Sequence, residues 1–289
     1  MAGTDPDRTV RARARRGIVL VIAAMLTLVT VSACGTSATS HSHATVASLM
    51  PAAYATDRQP GYVFAMTFSV NGAGQHASFT ASGSFDAHTR QGTILENIAG
   101  HRLAGVFKRP YLYLRAPRPS AATGGKPWIR VDLAVESPSL GQGAATGASD
   151  PVATLNYIRQ TGQVGVVGPA TVNGLSTTRY HAFVDLDRVT ATAAPALRPA
   201  YRRQAQLFKR LTGATTFPLD VWVDRHGLVR RLSFHILICT RAGRFSVSTT
   251  LQIMRYGPQP PVRVPPPSRF IDVTSRARAQ NSAAAQAAC

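Results

Sequence analysis

The segment YVFAMTFSV, residues 62–70, decides the fold. Its even positions are bulky and apolar, and its odd positions become small or polar along the segment. An alternation with a period of two predicts a β-strand that buries one face. Asn71 and Gly72 follow as a turn dipeptide, and residues 76–85 repeat the alternation. This stretch therefore predicts an antiparallel hairpin, and the rest of the chain is built from similar units.

Further strand patterns occur on both sides of a Gly/Ala/Ser-rich break at residues 138–149; they cover residues 91–98, 102–107, 111–115, 128–133, 163–168, 176–184, 219–224, 228–238 and 244–254. Helices are predicted at residues 46–56, at 150–160, where Asp150 and Pro151 form a start signal, and at 187–211, with interruptions at Pro195 and Pro199. The pattern indicates an α+β fold with one antiparallel sheet, which helices can cover on a single face.

The N-terminus has the organisation of an export signal. Five arginines within residues 8–16 precede an uncharged apolar run, residues 17–31, which is shorter than the ~20 residues of a membrane-spanning helix. Val31, Ser32, Ala33 and Cys34 follow, and they resemble the lipobox of bacterial lipoproteins. That resemblance implies cleavage after Ala33 and a lipid on the Cys34 thiol, which is suited to attack a lipid donor. The alternative is a plain secretory signal with a chance cysteine.

Composition favours a protein that meets an anionic surface. Removing residues 1–33 takes away five arginines and two aspartates, which leaves 27 basic and 11 acidic residues and a net charge of +16. The charges are scattered along the chain, and an exported protein meets little nucleic acid. Attraction to anionic phospholipid headgroups is therefore the better interpretation, and we expect no nucleic-acid partner.

Two cysteines, Cys239 and Cys289, remain after the anchor. Outside the cytoplasm such a pair is more often bridged than free, so they are candidates for a disulfide. The alternative is that Cys289, as the last residue, stays unpaired.

No catalytic or metal-binding motif stands out. The acidic pairs Asp185/Asp187 and Asp220/Asp224 could form carboxylate couples, but helix capping and a hairpin turn explain them more simply. We therefore expect no enzyme activity, no catalytic residue, no metal site and no cofactor. An envelope hydrolase would instead need a polar cleft in which titratable groups converge.

Apolar side chains on the predicted strands are the remaining signal. They would fill a core against the helices, or they would line a gap that accepts acyl chains. Periodicity alone leaves both readings open. Phe64, Phe68, Trp222 and Phe234 are the candidates for a cavity wall.

Three landmarks carry a family resemblance. The first joins residues 150–155 to 164–168, the second is residues 172–180, and the third joins residues 217–224 to 227–232. Together with the lipobox and the strand meander, they resemble actinobacterial lipoproteins of the LppX/LprG type and their LolA/LolB-like relatives. The resemblance implies a single antiparallel, strongly curved sheet, or half-barrel, with helices packed on its concave face and a hydrophobic cavity between them.

The same resemblance implies a function. We expect a lipid-anchored protein on the extracytoplasmic face of the cell membrane that binds an amphipathic lipid or lipoglycan and transports it across the envelope, with an envelope transporter or another envelope protein as partner. The alternative is a protein-binding or sensing module without a lipid. The expected organisation is a signal peptide at 1–33, the lipidated cysteine with its tether and a short helix at 34–57, the lipid-binding domain at 58–272, and a loose tail at 273–289.

Overall fold

The computed structural model describes residues 43–44, 49–98, 101–132 and 164–275, apart from 109, 117, 119, 121, 122, 194, 196, 197, 241 and 242. The predicted lipobox, the predicted helix at 150–160 and the end of the predicted tail lie outside the described residues.

Within the described residues, thirteen strands form one sheet: β1 (His43–Ala44), β2 (Gly61–Gly72), β3 (Gln75–Asp86), β4 (Gln91–Ile98), β5 (His101–Lys108), β6 (Tyr111–Arg115), β7 (Trp128–Asp132), β8 (Val164–Val172), β9 (Leu175–Asp185), β10 (Thr216–Asp224), β11 (Val229–Thr240), β12 (Gly243–Tyr256) and β13 (Phe270–Asp272). The described helices are α1 (Met50–Asp57), α2 (Leu186–Thr192) and α3 (Arg198–Thr212), together with a 3-10 turn at Pro267–Arg269.

The strand order is β1-β8-β9-β10-β11-β12-β2-β3-β4-β5-β6-β7-β13, and the sheet is open and curved. β2 pairs with β12, so the early and late halves of the chain meet at the centre of the sheet. The prediction of a purely antiparallel sheet is wrong at one edge, because β13 runs parallel to β7. The proline-rich segment after β12 is the physical reason: it carries the chain across to the far edge, where β13 enters in the direction of β7.

One arginine clamps this parallel strand to the sheet. Nη2 of Arg130 lies 2.6 Å from Oδ2 of Asp272, and its guanidinium lies 4.5 Å from the ring centroid of Tyr111 and 4.8 Å from that of Phe270. An ion pair with two aromatic contacts holds a three-residue strand that would otherwise have few backbone hydrogen bonds.

The first helix is shorter than predicted. α1 begins at Met50 instead of residue 46, and Pro51 lies in its first turn, where the missing N–H costs no hydrogen bond. Its buried residues include Ala52, Ala53 and Thr56. The hydroxyl of Thr56 accepts a hydrogen bond from the Val229 amide at 3.1 Å, which ties α1 to β11.

The predicted interrupted helix is two helices. Asp185 caps α2, because its carboxylate accepts from the amides of Asp187 and Arg188 at 2.9 and 3.3 Å. The capping explanation for the Asp185/Asp187 pair is therefore confirmed. α3 then starts at Arg198, with Pro199 in its first turn.

Buried side chains from all three helices join the same core as the sheet; they include Ala53, Val189 and Phe208. On the sheet, large rings lie opposite glycines. Gly92 faces Phe85 on β3 and Phe107 on β5, and the two rings stack across it at 5.6 Å. A Cβ at Gly92 would lie 2.2 Å from Phe107 Cζ, so the close packing of this part of the core requires glycine.

Candidate functional site: the apolar face of the sheet

The central strands present a continuous apolar face. Tyr62, Phe64, Met66 and Phe68 on β2 are buried, whereas Thr67 between them is exposed. This alternation confirms the strand pattern predicted for residues 62–70. The face is therefore built by the period of the sequence, and the cross-strand pairs determine its width.

One row of side chains crosses four strands on this face. Phe79 on β3 pairs with Phe68 on β2, Phe68 pairs with Thr249 on β12, and Thr249 pairs with Phe234 on β11. The rings of Phe68 and Phe79 stack with centroids 4.7 Å apart. Phe64 lies on the same face two positions along from Met66, so Phe64, Phe68 and Phe234 share the face that the cavity-wall prediction requires.

Trp222 lies on the other face of the sheet. Its neighbours Val221 and Val223 belong to the core, while its own ring has Arg179 and Arg231 as cross-strand partners. Each guanidinium carbon lies 5.2 Å from the ring centroid, which makes a cation–π sandwich. The prediction that Trp222 shares the cavity wall with the three phenylalanines is therefore wrong. The alternation along β10 directs Val221 and Val223 inward and Trp222 outward.

Helix α3 covers part of the apolar face. Ala205 and Phe208 are buried, and Tyr201 packs partly buried against the core. The ring of Phe208 lies 5.5 Å from that of Phe217 on β10, which in turn lies 5.8 Å from that of Phe234. Phe208 and Phe217 were absent from the predicted wall; helical spacing and strand parity are the signals that identify them.

Burial is uneven across this face. Tyr62, Phe64 and Met66 are at most 2% exposed. Farther along the strands, four apolar residues on the same face are only half-buried, and we call them the apolar rim: Val70, Phe79, Phe234 and Ile238. The rim is where an apolar ligand could contact the core face without unfolding it.

The outward side of α3 is basic. Four cationic residues are exposed there, whereas its first turn carries no acidic residue: Arg202, Arg203, Lys209 and Arg210. The helix is thus amphipathic in the way its sequence predicts, with an apolar side on the core and a cationic side in solvent.

One acidic residue lies on the apolar face. Glu96 on β4 pairs with Ala81 on β3 and with Leu103 on β5, and it is 6% exposed. Burial raises the pKa of its carboxyl. Glu96 was not among the predicted site residues, although strand parity places it on the inward side of β4 with Gly92 and Ile94.

The other predicted carboxylate couple has local structural partners. Asp220 accepts from Arg179 Nη2 at 2.7 Å and lies 2.8 Å from His181 Nδ1 on the outer face. Asp224 accepts from the amides of His226 and Leu228, which confirms its place in the hairpin turn. Among the described residues, no group of three His, Cys, Asp or Glu side chains could hold a metal ion.

The predicted lipobox residues Val31, Ser32, Ala33 and Cys34 lie outside the described residues. Cys239 is disulfide-bonded, and its partner lies outside the described residues, as Cys289 does. In the described part of the chain, no helix is both long and apolar enough to span a membrane.

No family model matches this chain. A curated relative is an uncharacterized 31.2 kDa protein of Streptomyces griseus, encoded in the rplA-rplJ intergenic region, with 29% identity. The match covers 58% of this chain and 55% of that protein, so the chain spans about half the length of its relative.

Two mycobacterial lipoproteins are among the solved structures similar to this chain. LppX of Mycobacterium tuberculosis has a TM-score of 0.46 and 12% identity, and the match covers 76% of this chain and 97% of LppX. The chain is similar to LppX-type lipoproteins. LprF of Mycobacterium bovis has a TM-score of 0.39 and 14% identity, with 77% of this chain and 96% of LprF covered.

Proposed function

We propose that this protein binds an amphipathic lipid or lipoglycan at the apolar rim and carries it across the cell envelope. The observation that supports this proposal is the incomplete burial of part of one sheet face, where Phe79 and Phe234 stay half-buried while Phe64 is fully buried. Half-buried aromatic rings at the margin of an apolar face are surface on which an apolar ligand can bind.

The energetics of acyl chains favour such a surface. At ~0.8 kcal/mol per CH2, leaving a ~16-carbon chain in water costs about 12 kcal/mol. A carrier must therefore enclose most of that chain. The rim, continued inward by Phe68 and covered in part by α3, supplies apolar contacts of the required kind.

The basic side of α3 suits the other half of an amphipathic ligand. Its arginines and lysine stand on the helix whose opposite side packs against the same core. The same side would attract the protein to anionic membranes.

We further propose that the protein is held at the extracytoplasmic face of the cell membrane through a lipid on Cys34, with residues 58–272 as its lipid-binding domain. Replacement of the anchor, Cys34→Ser, should move the protein from the membrane fraction to the soluble fraction. Retention of the variant in the membrane fraction would count against lipid anchoring.

Binding can be tested with a soluble form that starts after Cys34. We expect a dansyl-labelled fatty acid to bind at micromolar concentration, and native mass spectrometry to detect a co-purified lipid. Phe234→Asp should weaken the binding by about tenfold or more, since it places a charge on the rim.

Leu237→Asp is the matched control. Leu237 is the third residue after Phe234 on the same strand, lies on the opposite face and is 64% exposed. The Leu237→Asp variant should bind the fatty acid as tightly as the wild type does. Equal loss in both variants, or a folded wild type that binds no lipid, would remove the lipid-carrier proposal and leave a protein-binding or sensing module.

A further inference from the structure

Glu96 is an acid placed in an apolar wall. Its same-face neighbour along β4 is the buried Ile94, and its cross-strand neighbours are Ala81 and Leu103. Every one of these side chains is apolar. The alternation along β4 would be satisfied by an apolar residue at position 96, such as the isoleucine at position 94. The strand pattern therefore does not explain a carboxyl there.

The described residues offer Glu96 no compensating partner. Burial is the one influence that shifts its pKa, with no contribution from a hydrogen-bond donor or a cation. By contrast, Asp224, a comparably buried acid, is held by two backbone amides and an arginine. A buried carboxyl without such partners destabilises the folded chain, so stability does not account for Glu96.

We propose that Glu96 is the polar recognition point of the lipid site, and that it accepts a hydrogen bond from a hydroxyl or amine carried by the bound lipid. This inference rests on the proposed function. The carboxyl accepts a hydrogen bond in either protonation state, and a donor that arrives with the ligand would satisfy it in a site from which water is displaced. Lipids that carry such a donor would therefore be preferred over lipids that consist of hydrocarbon and ester groups only.

Three lipids of equal chain length differ in the hydrogen-bond donor of the headgroup: hexadecanol carries a hydroxyl, hexadecylamine carries an amine, and methyl palmitate carries no donor. Each is used to displace the dansyl-labelled fatty acid. We expect the wild type to bind the alcohol and the amine about tenfold more tightly than the ester. In Glu96→Leu this preference should disappear while the ester binds as before. Glu96→Gln should keep the preference for the alcohol and lose that for the amine, because its amide oxygen accepts but carries no charge.

Thr249→Val is the control for a general change in polarity. Thr249 is buried on the same face, between Phe68 and Phe234, and removal of its hydroxyl should leave the preference unchanged. If Glu96→Leu still prefers the alcohol and the amine, or if the wild type binds all three probes alike, the role of Glu96 is overturned while lipid binding stands. If the wild type binds none of the probes and no labelled fatty acid, the proposed function fails, and the role of Glu96 with it.

Urea unfolding gives a measurement that needs no ligand. Because Glu96 is buried without a partner, Glu96→Leu should raise the unfolding midpoint above that of the wild type. A lower midpoint would mean that Glu96 supports the fold, which would overturn the proposal.

Discussion

Nε of Arg230 lies 2.6 Å from Oδ2 of Asp224, across the turn that joins β10 to β11. The other carboxylate oxygen accepts from the amides of His226 and Leu228 at 2.8 and 3.0 Å. Burial acts to raise the pKa of Asp224, but the hydrogen bonds from Leu228, Arg230 and His226 outweigh it and hold the pKa below its usual value. The turn is thus closed by a charged carboxylate.

Asp224→Asn should therefore destabilise the protein at neutral pH by about 3 kcal/mol, since it leaves Arg230 without its counter-ion. The pKa of Asp224 is lower in the folded than in the unfolded state, so its contribution is complete above the unfolded pKa and is lost as the pH falls through the folded pKa. Urea unfolding at several pH values should show the two proteins converging in acid. Asp187→Asn, at an exposed position, is the control; a constant gap between wild type and D224N at all pH values would contradict this account.

The bond between Thr56 and the Val229 amide predicts a specific weakness between α1 and β11. Thr56→Val keeps the shape of the side chain but leaves a buried N–H unsatisfied, which should cost about 1–3 kcal/mol in the free energy of unfolding. Thr56→Ser keeps the acceptor and should be considerably milder. A stability of Thr56→Val equal to that of the wild type, or a larger loss in Thr56→Ser than in Thr56→Val, would contradict a role for the hydrogen bond.

Gly92 should not tolerate a side chain. Gly92→Ala places a methyl group 2.2 Å from Phe107 Cζ and 2.1 Å from the carbonyl oxygen of Ser84, so we expect a loss of about 1–3 kcal/mol, measured by thermal unfolding. Thr93→Ala, at the next and exposed position on β4, is the control. A stability of Gly92→Ala equal to that of the control would mean that the strand shifts freely to accept the methyl group.

The disulfide of Cys239 is predicted to have Cys289 as its partner. The bridge would close a loop of about 50 residues, for which the chain-entropy model gives ~4 kcal/mol of stabilisation. Non-reducing peptide mapping should recover a peptide that contains both cysteines, and Cys289→Ser should lower the thermal midpoint. A mapped bridge to Cys34 would overturn the pairing and also remove the thiol proposed for lipid attachment.

Much of the fold followed from local pattern. The period of two at residues 62–70 and the apolar spacing of Tyr201 and Phe208 are properties of neighbouring residues. The turn predicted at Asn71 and Gly72 is displaced, because both residues still pair within the hairpin and the chain turns at Ala73 and Gly74. Local sterics and solvent exposure act on such neighbours directly, so the strands of the meander and the amphipathic character of α3 could be predicted.

What the sequence by itself determined was therefore most of the strands, the amphipathic character of α3 and the face of the sheet to which Phe64, Phe68 and Phe234 belong. Tertiary structure alone decided the parallel docking of β13, the outward position of Trp222 between two arginines, and the burial of Glu96. Each of these depends on which strand lies beside which, a contact between residues far apart in the chain. Periodicity shows that a strand has two faces, but only the assembled sheet shows which one is covered.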